Sequence, residues 1–337
     1  MTLLKKLEQK YPVEYAESSD FSEIIALFNT VWSASQQLVA RNEKLFIRRY
    51  FNNPFANDTL SIFAAKDGSK IIGITGLLKF DLSYHQKRLP AVWVVDQAVL
   101  PEYQIKGIGY LLLKKAIQES AIAIAGDNNA PSQKMHKSMG MKAIAHCTVM
   151  RKWVRPTNYF NFKKRAGIRI VHGVSFDRQF DRLWEKARSE YDIVAIRNAD
   201  VLRWRYENLP TRKFQTHALY KDGELYGYIV TTMGKVRDLA PKGVFVDFLF
   251  CQIDEGLIAT FIMSVIAYLA KNGAVCFEAA LSQRRVRKIF ESLGFKDFDY
   301  DPNFIVYNND FSRDKPDLWD GRKWHLTYGD ADFFFTR

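Results

Sequence analysis

Apolar residues fill Ala91–Leu100, AVWVVDQAVL, almost without a break, and this run predicts a buried strand. Downstream, Ile108, Leu111, Leu112, Ala116 and Ile117 recur at helical spacing. Between the two lies Gln104-Ile105-Lys106-Gly107-Ile108-Gly109, a glycine-containing turn that leads into the helix. Near the start, strand-like Pro12–Ala16 precedes Asp20-Phe21-Ser22-Glu23. That tetrad predicts a capping box opening a helix, with Ile24, Leu27, Phe28 and Val31 on one face. Lys66-Asp67-Gly68 and Lys221-Asp222-Gly223 each sit between apolar strands and predict hairpin turns. Leu257–Ala270, interrupted by Thr260 and Ser264, falls short of the roughly 20 residues of a membrane span and predicts a buried helix. The mixture of strands and helices predicts an α/β (α+β mixed) chain.

The same landmarks occur twice. Phe46-Ile47-Arg48-Arg49-Tyr50, running on to Pro54, parallels Leu202-Arg203-Trp204-Arg205-Tyr206, running on to Pro210. Gly73 parallels Gly227, and Asp96, three before Val99, parallels Asp247, three before Phe250. Ser138-Met139-Gly140-Met141-Lys142 parallels Ser292-Leu293-Gly294-Phe295-Lys296. The offset stays near 150–156 residues, so the chain reads as two copies of one unit. Residues 1–155 and 156–337 are the expected domains, joined across about Arg155–Gly167.

A glycine turn at the head of a helix presents unpaired backbone N–H groups and the positive end of the helix dipole at one spot. Such a spot suits an anion, and glycine lets a phosphate approach the backbone closely. Two familiar nucleotide loops do not fit. A dinucleotide fingerprint needs a third glycine where Leu112 stands, and no Gly-Lys-Ser/Thr of a P-loop is present. The second copy lacks Gly-x-Gly, and its Asp254 and Glu255 would repel a pyrophosphate. Gln283 stands at the place of Asn129, and Phe290 at the place of His136. The first copy is therefore the expected ligand-binding unit, and the second is expected to support it and shape an acceptor cleft between them.

Val99–Gly109 resembles the acyl-CoA-binding motif of the GNAT superfamily of N-acyltransferases, Gln/Arg-x-x-Gly-x-Gly/Ala. Asn129, the helical Ala130–Met139 and Gly140-Met141 resemble that family's next motif. The resemblance covers about residues 12–154 and implies two tandem GNAT-like lobes, each a mostly antiparallel central sheet flanked by helices. It implies acetyl-CoA as co-substrate, held by Val99, Gln104, Ile105, Lys106, Gly107, Ile108, Gly109, Tyr110 and Asn129. It also implies a gap between the fourth and fifth strands, in which a pantetheine arm pairs to backbone near Val99. Many members protonate the leaving thiolate with a tyrosine four residues before the Gly-Phe pair. Here that place holds His136, which titrates near neutrality and is the candidate acid. Asp96 is the candidate base, with a shared structural role alongside Asp247 as its alternative, such as capping a bulge. The tail Trp324-His325-Leu326-Thr327-Tyr328-Gly329-Asp330-Ala331-Asp332 resembles the ending of tandem GNAT-like proteins associated with cell-surface polysaccharide synthesis, which implies an amino sugar or glycan precursor as acceptor.

Composition narrows the rest. The net charge of +12 suits an anionic co-substrate, while the absence of any recognition module ranks a nucleic-acid surface low. Peripheral contact with a membrane stays open. Three scattered cysteines suit a reducing, cytoplasmic setting, and the six histidines show no metal-ligand spacing, so no metal is expected. Two readings compete with acetyl transfer. One is a Fem-type aminoacyltransferase using aminoacyl-tRNA, which is also two GNAT-like lobes. The other is a non-catalytic acyl-CoA-binding protein.

Overall fold

The structure is a computed structural model that describes residues 3–32, 43–56, 60–120, 122–127, 130–147, 149–154, 166–210, 212–236, 240–298, 304–310 and 315–330. The first half contains α1 (Leu3–Lys10), β1 (Val13–Tyr15), α2 (Phe21–Trp32), α3 (Glu43–Tyr50), β2 (Ile62–Asp67), β3 (Lys70–Tyr84), β4 (Lys87–Val99), α4 (Ile108–Ile117), β5 (Ile122–Asp127), α5 (Ala130–Ser138), β6 (Lys142–Cys147) and β7 (Val149–Trp153). The second contains β8 (Ile168–His172), α6 (Arg178–Ala187), β9 (Ile193–Ala195), α7 (Ala199–Tyr206), β10 (Phe214–Lys221), β11 (Glu224–Val236), β12 (Ala240–Phe250), α8 (Glu255–Lys271), β13 (Cys276–Ala280), α9 (Arg284–Ser292), β14 (Lys296–Asp297), β15 (Phe304–Asp310) and β16 (Trp324–His325).

These elements build two sheets of matching order. The first runs β1-β2-β3-β4-β5-β15-β6 and the second β8-β10-β11-β12-β13-β7-β14. Both are mostly antiparallel, each with one parallel pair along this order, β4–β5 and β12–β13. The sheets exchange a strand: β15 inserts between β5 and β6, and β7 inserts between β13 and β14. The boundary expected near residue 155 therefore divides the chain but not the sheets. The tip of the β3–β4 hairpin also gains β9, which in turn pairs with β16.

The predicted hairpin turns and buried helix form as expected. The capping box, however, forms three residues earlier than the sequence suggested, between Glu17 and Asp20. The Glu23 carboxylate instead accepts from the Ile71 N–H and ties α2 to β3.

α2 and α3 cover one face of the first sheet, and α4 covers the other through Ile108, Leu112, Leu113 and Ala116. The α2–α3 face meets the second lobe in one continuous core that includes Phe28, Phe46, Trp93, Phe180, Trp184 and Tyr228. At the centre of this junction, Arg48 donates to the Arg203 and Trp204 carbonyls, and the Trp204 indole N–H donates to the Arg48 carbonyl at 2.8 Å. Arg48 and Trp204 lie 156 positions apart, the offset of the repeat. Matched residues touch one another there, as they must on a pseudo-twofold axis.

Candidate active site

β4 and β5 pair only from Ala91–Ile122 to Val94–Ala125. Beyond Val94, β4 continues to Val99 with β3 on one side and no strand on the other among the described residues. The two parallel strands thus part into a gap, and the glycine turn stands at its end. Gly107 is the N-cap of α4, in a left-handed conformation (φ 86°) and with no side chain capping the helix. Ile105 is also left-handed (φ 65°), and its side chain is fully exposed. Gln104 and Lys106 are exposed, whereas Gly109 and Tyr110 are partly covered and Ile108 is buried in the sheet-facing core.

The turn is braced from both sides. The Gln104 amide donates to the Val99 carbonyl at 3.0 Å, and the Gln97 amide donates to the Gly109 carbonyl at 2.9 Å. Lys106 lies over the Tyr103 ring, whose hydroxyl donates to Asp67 at 2.9 Å. A Cβ at Gly107 would come within 2.7 Å of Leu7 on α1, and one at Gly109 would sit 3.8 Å from the Met135 sulfur on α5. Gly107 therefore marks a close approach, while at Gly109 the contact would be an ordinary one that places α5 alongside the turn. Asn129, the expected partner just before α5, falls outside the described residues.

His136 follows Met135 on α5 and is buried, not on the helix surface. Burial pulls its pKa down to about 4, so it is a neutral imidazole at neutral pH. Asp96 sits at a bulge in β4, where Ile74 pairs with Ala98 but Gly76 pairs with Val95. It forms a buried ion pair with Arg49 at 2.9 Å and accepts a hydrogen bond from the Tyr50 hydroxyl. The structure therefore groups Val99, the turn, Asp96 and α5 around one end of the β4–β5 gap. The sequence reading missed Arg49, Tyr50, Gln97 and Leu7. Arg49-Tyr50 was visible as part of the repeat, but nothing in the sequence joined it to Asp96.

The matching gap in the second lobe is filled by the chain itself. β12 and β13 pair from Lys242–Cys276 to Phe245–Ala279. Past that point the tail enters. Gly329 N–H donates to the Val246 carbonyl at 2.8 Å, Ser282 N–H donates to the Leu326 carbonyl at 3.0 Å, and Thr327 bridges Leu281. Asp247 there receives Arg197, Tyr206, Tyr228 and Thr327, while Arg197 also pairs with Asp330 at 2.6 Å. Burial is the largest influence and would raise the Asp247 pKa, but the charge and hydrogen bond of Arg197, with His325 and Arg205, together outweigh it and hold the carboxylate below its usual range. Burial raises that of Asp330. Asp332 lies outside the described residues. The head of α8 is closed as well, because Asp254 accepts from the Leu257 N–H at 3.0 Å.

A cavity of about 320 Å³ does lie between the lobes, lined by Ser83, Arg88, Asp181, Trp184 and Arg188. It sits at the far end of β4, roughly 30–35 Å from Val99 at about 3.3 Å per strand residue, and so is remote from the glycine turn. No group of three or more His, Cys, Asp or Glu side chains that could hold a metal occurs among the described residues. No helix among them is long and apolar enough to cross a membrane.

This arrangement is an acyltransferase-type fold. Residues 12–123, within the first lobe, match the family model described as an acetyltransferase (GNAT) domain. The structure is similar to that of a GCN5-related N-acetyltransferase from Anabaena variabilis ATCC 29413, at 12% identity over 92% of this chain and 75% of that one, with a TM-score of 0.70. It is also similar to Saccharomyces cerevisiae N-myristoyltransferase with bound myristoyl-CoA, at 12% identity over 89% of this chain and 80% of that one, with a TM-score of 0.57. A probable N-acyltransferase from Enterococcus faecalis V583 is 13% identical over 88% of this chain and 71% of that one, with a TM-score of 0.63. No curated protein matches the chain by sequence.

Proposed function

We propose that the first lobe, residues 1–155 completed by β15, transfers an acetyl group from acetyl-CoA to a primary amine, and that residues 156–337 support it and shape the acceptor side. The carrying observation is the contrast between the two gaps. The one beside Gly107 has an uncapped helix at its end, while its counterpart holds the tail and a self-capped helix. The pyrophosphate would lie on the α4 N-terminus, against Gln104–Tyr110. Asn129 is the further cofactor contact. The pantetheine arm would run along the β4 edge to Val99.

In the reaction the amine nitrogen attacks the thioester carbonyl. A C–N bond forms, the C–S bond breaks, and the proton lost by nitrogen ends on the CoA sulfur. Holding the two reactants in line supplies roughly 7–11 kcal/mol of the barrier, and a general acid or base adds about 10²–10⁴-fold. Positioning is thus the larger contribution. His136 remains the candidate proton carrier. Being neutral, it serves as a hydrogen-bond donor or takes up a proton, and it is not a standing imidazolium. Asp96, the other candidate, has its carboxylate committed to Arg49 and Tyr50, which favours the structural alternative for it. The tail motif favours a sugar-linked amine as acceptor, and the three scattered cysteines favour a cytoplasmic setting.

The test is thermal stability against added acetyl-CoA, with Gly107→Glu as the control. At about 100 times its dissociation constant the ligand should stabilise the wild type by roughly 2.7 kcal/mol, several degrees in Tm. The variant should gain nothing. No gain in the wild type would discard acetyl-CoA and turn the search to aminoacyl-tRNA.

A further inference from the structure

The β4 bulge is a strained element held from outside the sheet. Asp96 has φ 49°, a left-handed conformation that aspartate tolerates better than most residues but only at a cost. Such a residue persists where its surroundings over-determine it. Here the surroundings are Arg49 and Tyr50 at the C-terminal end of α3, both engaging the same carboxylate oxygen, Oδ2. Arg49 and Asp96 are almost wholly buried, at 0% and 3% side-chain exposure. Tyr50 reaches Asp96 by crossing Gly76 on β3, where a Cβ would collide with its hydroxyl. On its other side the bulge is tied to the glycine turn, through Gln97 to the Gly109 carbonyl.

The second lobe separates what is structural in this arrangement from what is particular to the first. Tyr206, matched to Tyr50, also donates to its aspartate, Asp247, at 3.0 Å. The ion pair there comes from Arg197 on a different segment, and Arg205, matched to Arg49, donates instead to the Gly329 carbonyl. The extra residue of that bulge is Val246, and Asp247 does not take a positive φ. A Tyr–Asp link is therefore common to both lobes. The left-handed aspartate and the Arg49 clamp occur only beside the open gap.

We infer that Arg49 and Tyr50 are positioning residues for the transfer centre: by holding Asp96 left-handed they fix the backbone amides of the bulge at the gap, where the thioester carbonyl is polarised. Asp96 is then the handle of this clamp and not a base. Asp96 and Gln97 lie opposite the single residue Thr75, out of regular register with β3, and among the described residues no strand pairs with β4 past Val94 on the other edge. An oxyanion needs such fixed donors. This inference rests on the acetyl-CoA reading above.

The test combines isotope-edited infrared spectroscopy of bound acetyl-CoA, labelled at the thioester carbonyl, with thiol release using hydroxylamine as the probe acceptor. In the wild type the carbonyl stretch should fall below that of free acetyl-CoA. In Tyr50→Phe most of that fall should vanish, and kcat should drop at least tenfold, while KM for acetyl-CoA stays within threefold. Asp96→Asn can stay left-handed and still accept from Tyr50, so it should keep at least a fifth of wild-type kcat in the folded fraction. An unchanged carbonyl frequency in Tyr50→Phe, or an inactive Asp96→Asn beside an active Tyr50→Phe, would overturn the inference. Should wild-type protein fail to bind acetyl-CoA, the parent reading falls, and the clamp is still read by amide hydrogen exchange. Exchange at Gln97 and Ala98 should accelerate at least tenfold in Tyr50→Phe, and an unchanged rate there rejects the clamp.

Discussion

The two lobes share a strand order and a gap between parallel strands, yet they treat that gap in opposite ways. In the first, Gly107 leaves the head of α4 without a side-chain cap, and β4 past Val94 has no strand on its gap side among the described residues. In the second, Asp254 caps α8, and residues 326–330 hydrogen-bond across the space. A few substitutions and a tail thus separate an open gap from a packed interior. The buried charge follows the same division. Asp247 is enclosed by Arg197, two tyrosines and Thr327, a set that only the tail completes.

The largest expected effect strikes the filled gap. Arg197→Met leaves Asp247 and Asp330 buried without their guanidinium, and removing one partner of a buried pair costs about 3–5 kcal/mol. Urea denaturation should register that loss, while acetyl-CoA affinity of the folded protein stays within threefold. A comparable loss of affinity would mean that the lobes are coupled and not specialised.

Acid should weaken the second lobe more than the first. Burial holds the pKa of His136 to about 4 and those of His217 and His325 to about 3, below the 6.5 of a free histidine. The unfolded chain takes up protons near pH 6.5, whereas the folded chain resists until about pH 3–4. Stability is therefore full above pH 6.5 and declines as the pH falls toward 4, by on the order of 3 kcal/mol per histidine. Denaturation midpoints from pH 7 to 4 should show this decline, and hydrogen exchange at pH 5 should show it around β10 and the tail before α5. A flat profile would remove the buried-histidine account.

Much of this was legible in the sequence, and the exceptions share one cause. α4, the glycine turn, the hairpins at Gly68 and Gly223 and the twofold repeat are local or periodic, so spacing alone reveals them. The exchange of β7 and β15, the addition of β9 and β16 to the first sheet and the placing of residues 326–330 in the second gap are pairings between distant segments. Register of that kind depends on which edges are left open once the lobes meet. The site divides in the same way. Gly107 and Gly109 announce themselves, whereas the Arg49–Asp96 and Tyr50–Asp96 contacts join α3 to β4. Burial of His136 was missed because its helix is polar by composition.

Smaller effects sharpen the contrast at matched positions. Gly107→Glu places a carboxylate where Asp254 stands in the other copy, and it should abolish the roughly 2.7 kcal/mol stabilisation by acetyl-CoA. His136→Phe installs the residue of the second lobe, where Phe290 is fully buried. Its folding stability should change by less than about 1 kcal/mol, while turnover falls about tenfold, equivalent to about 1.4 kcal/mol of barrier. Because the histidine is neutral well above pH 4, wild-type kcat should show no inflection near pH 6.5 that the variant loses. Such an inflection would restore an imidazolium acid.

The mildest change asks the most pointed question about the second lobe, namely which of its two differences closes the gap. Asp254→Ala removes the cap of α8 and should cost about 1 kcal/mol, within the 0.5–2 kcal/mol typical of a lost N-cap. It also frees an N–H group and deletes a negative charge at the head of a helix, so the local electrostatics come to resemble those of α4. Even so, no second acetyl-CoA should bind, and calorimetry should give one site per chain. The reason is steric. Gly329 already occupies the β12 edge through Val246, and a Cβ at Gly329 would lie 2.9 Å from the Asp247 Cβ, so the tail is packed too closely to admit a pantetheine arm beside it. A second site in Asp254→Ala would show that the tail yields to ligand and that charge alone keeps the second lobe closed.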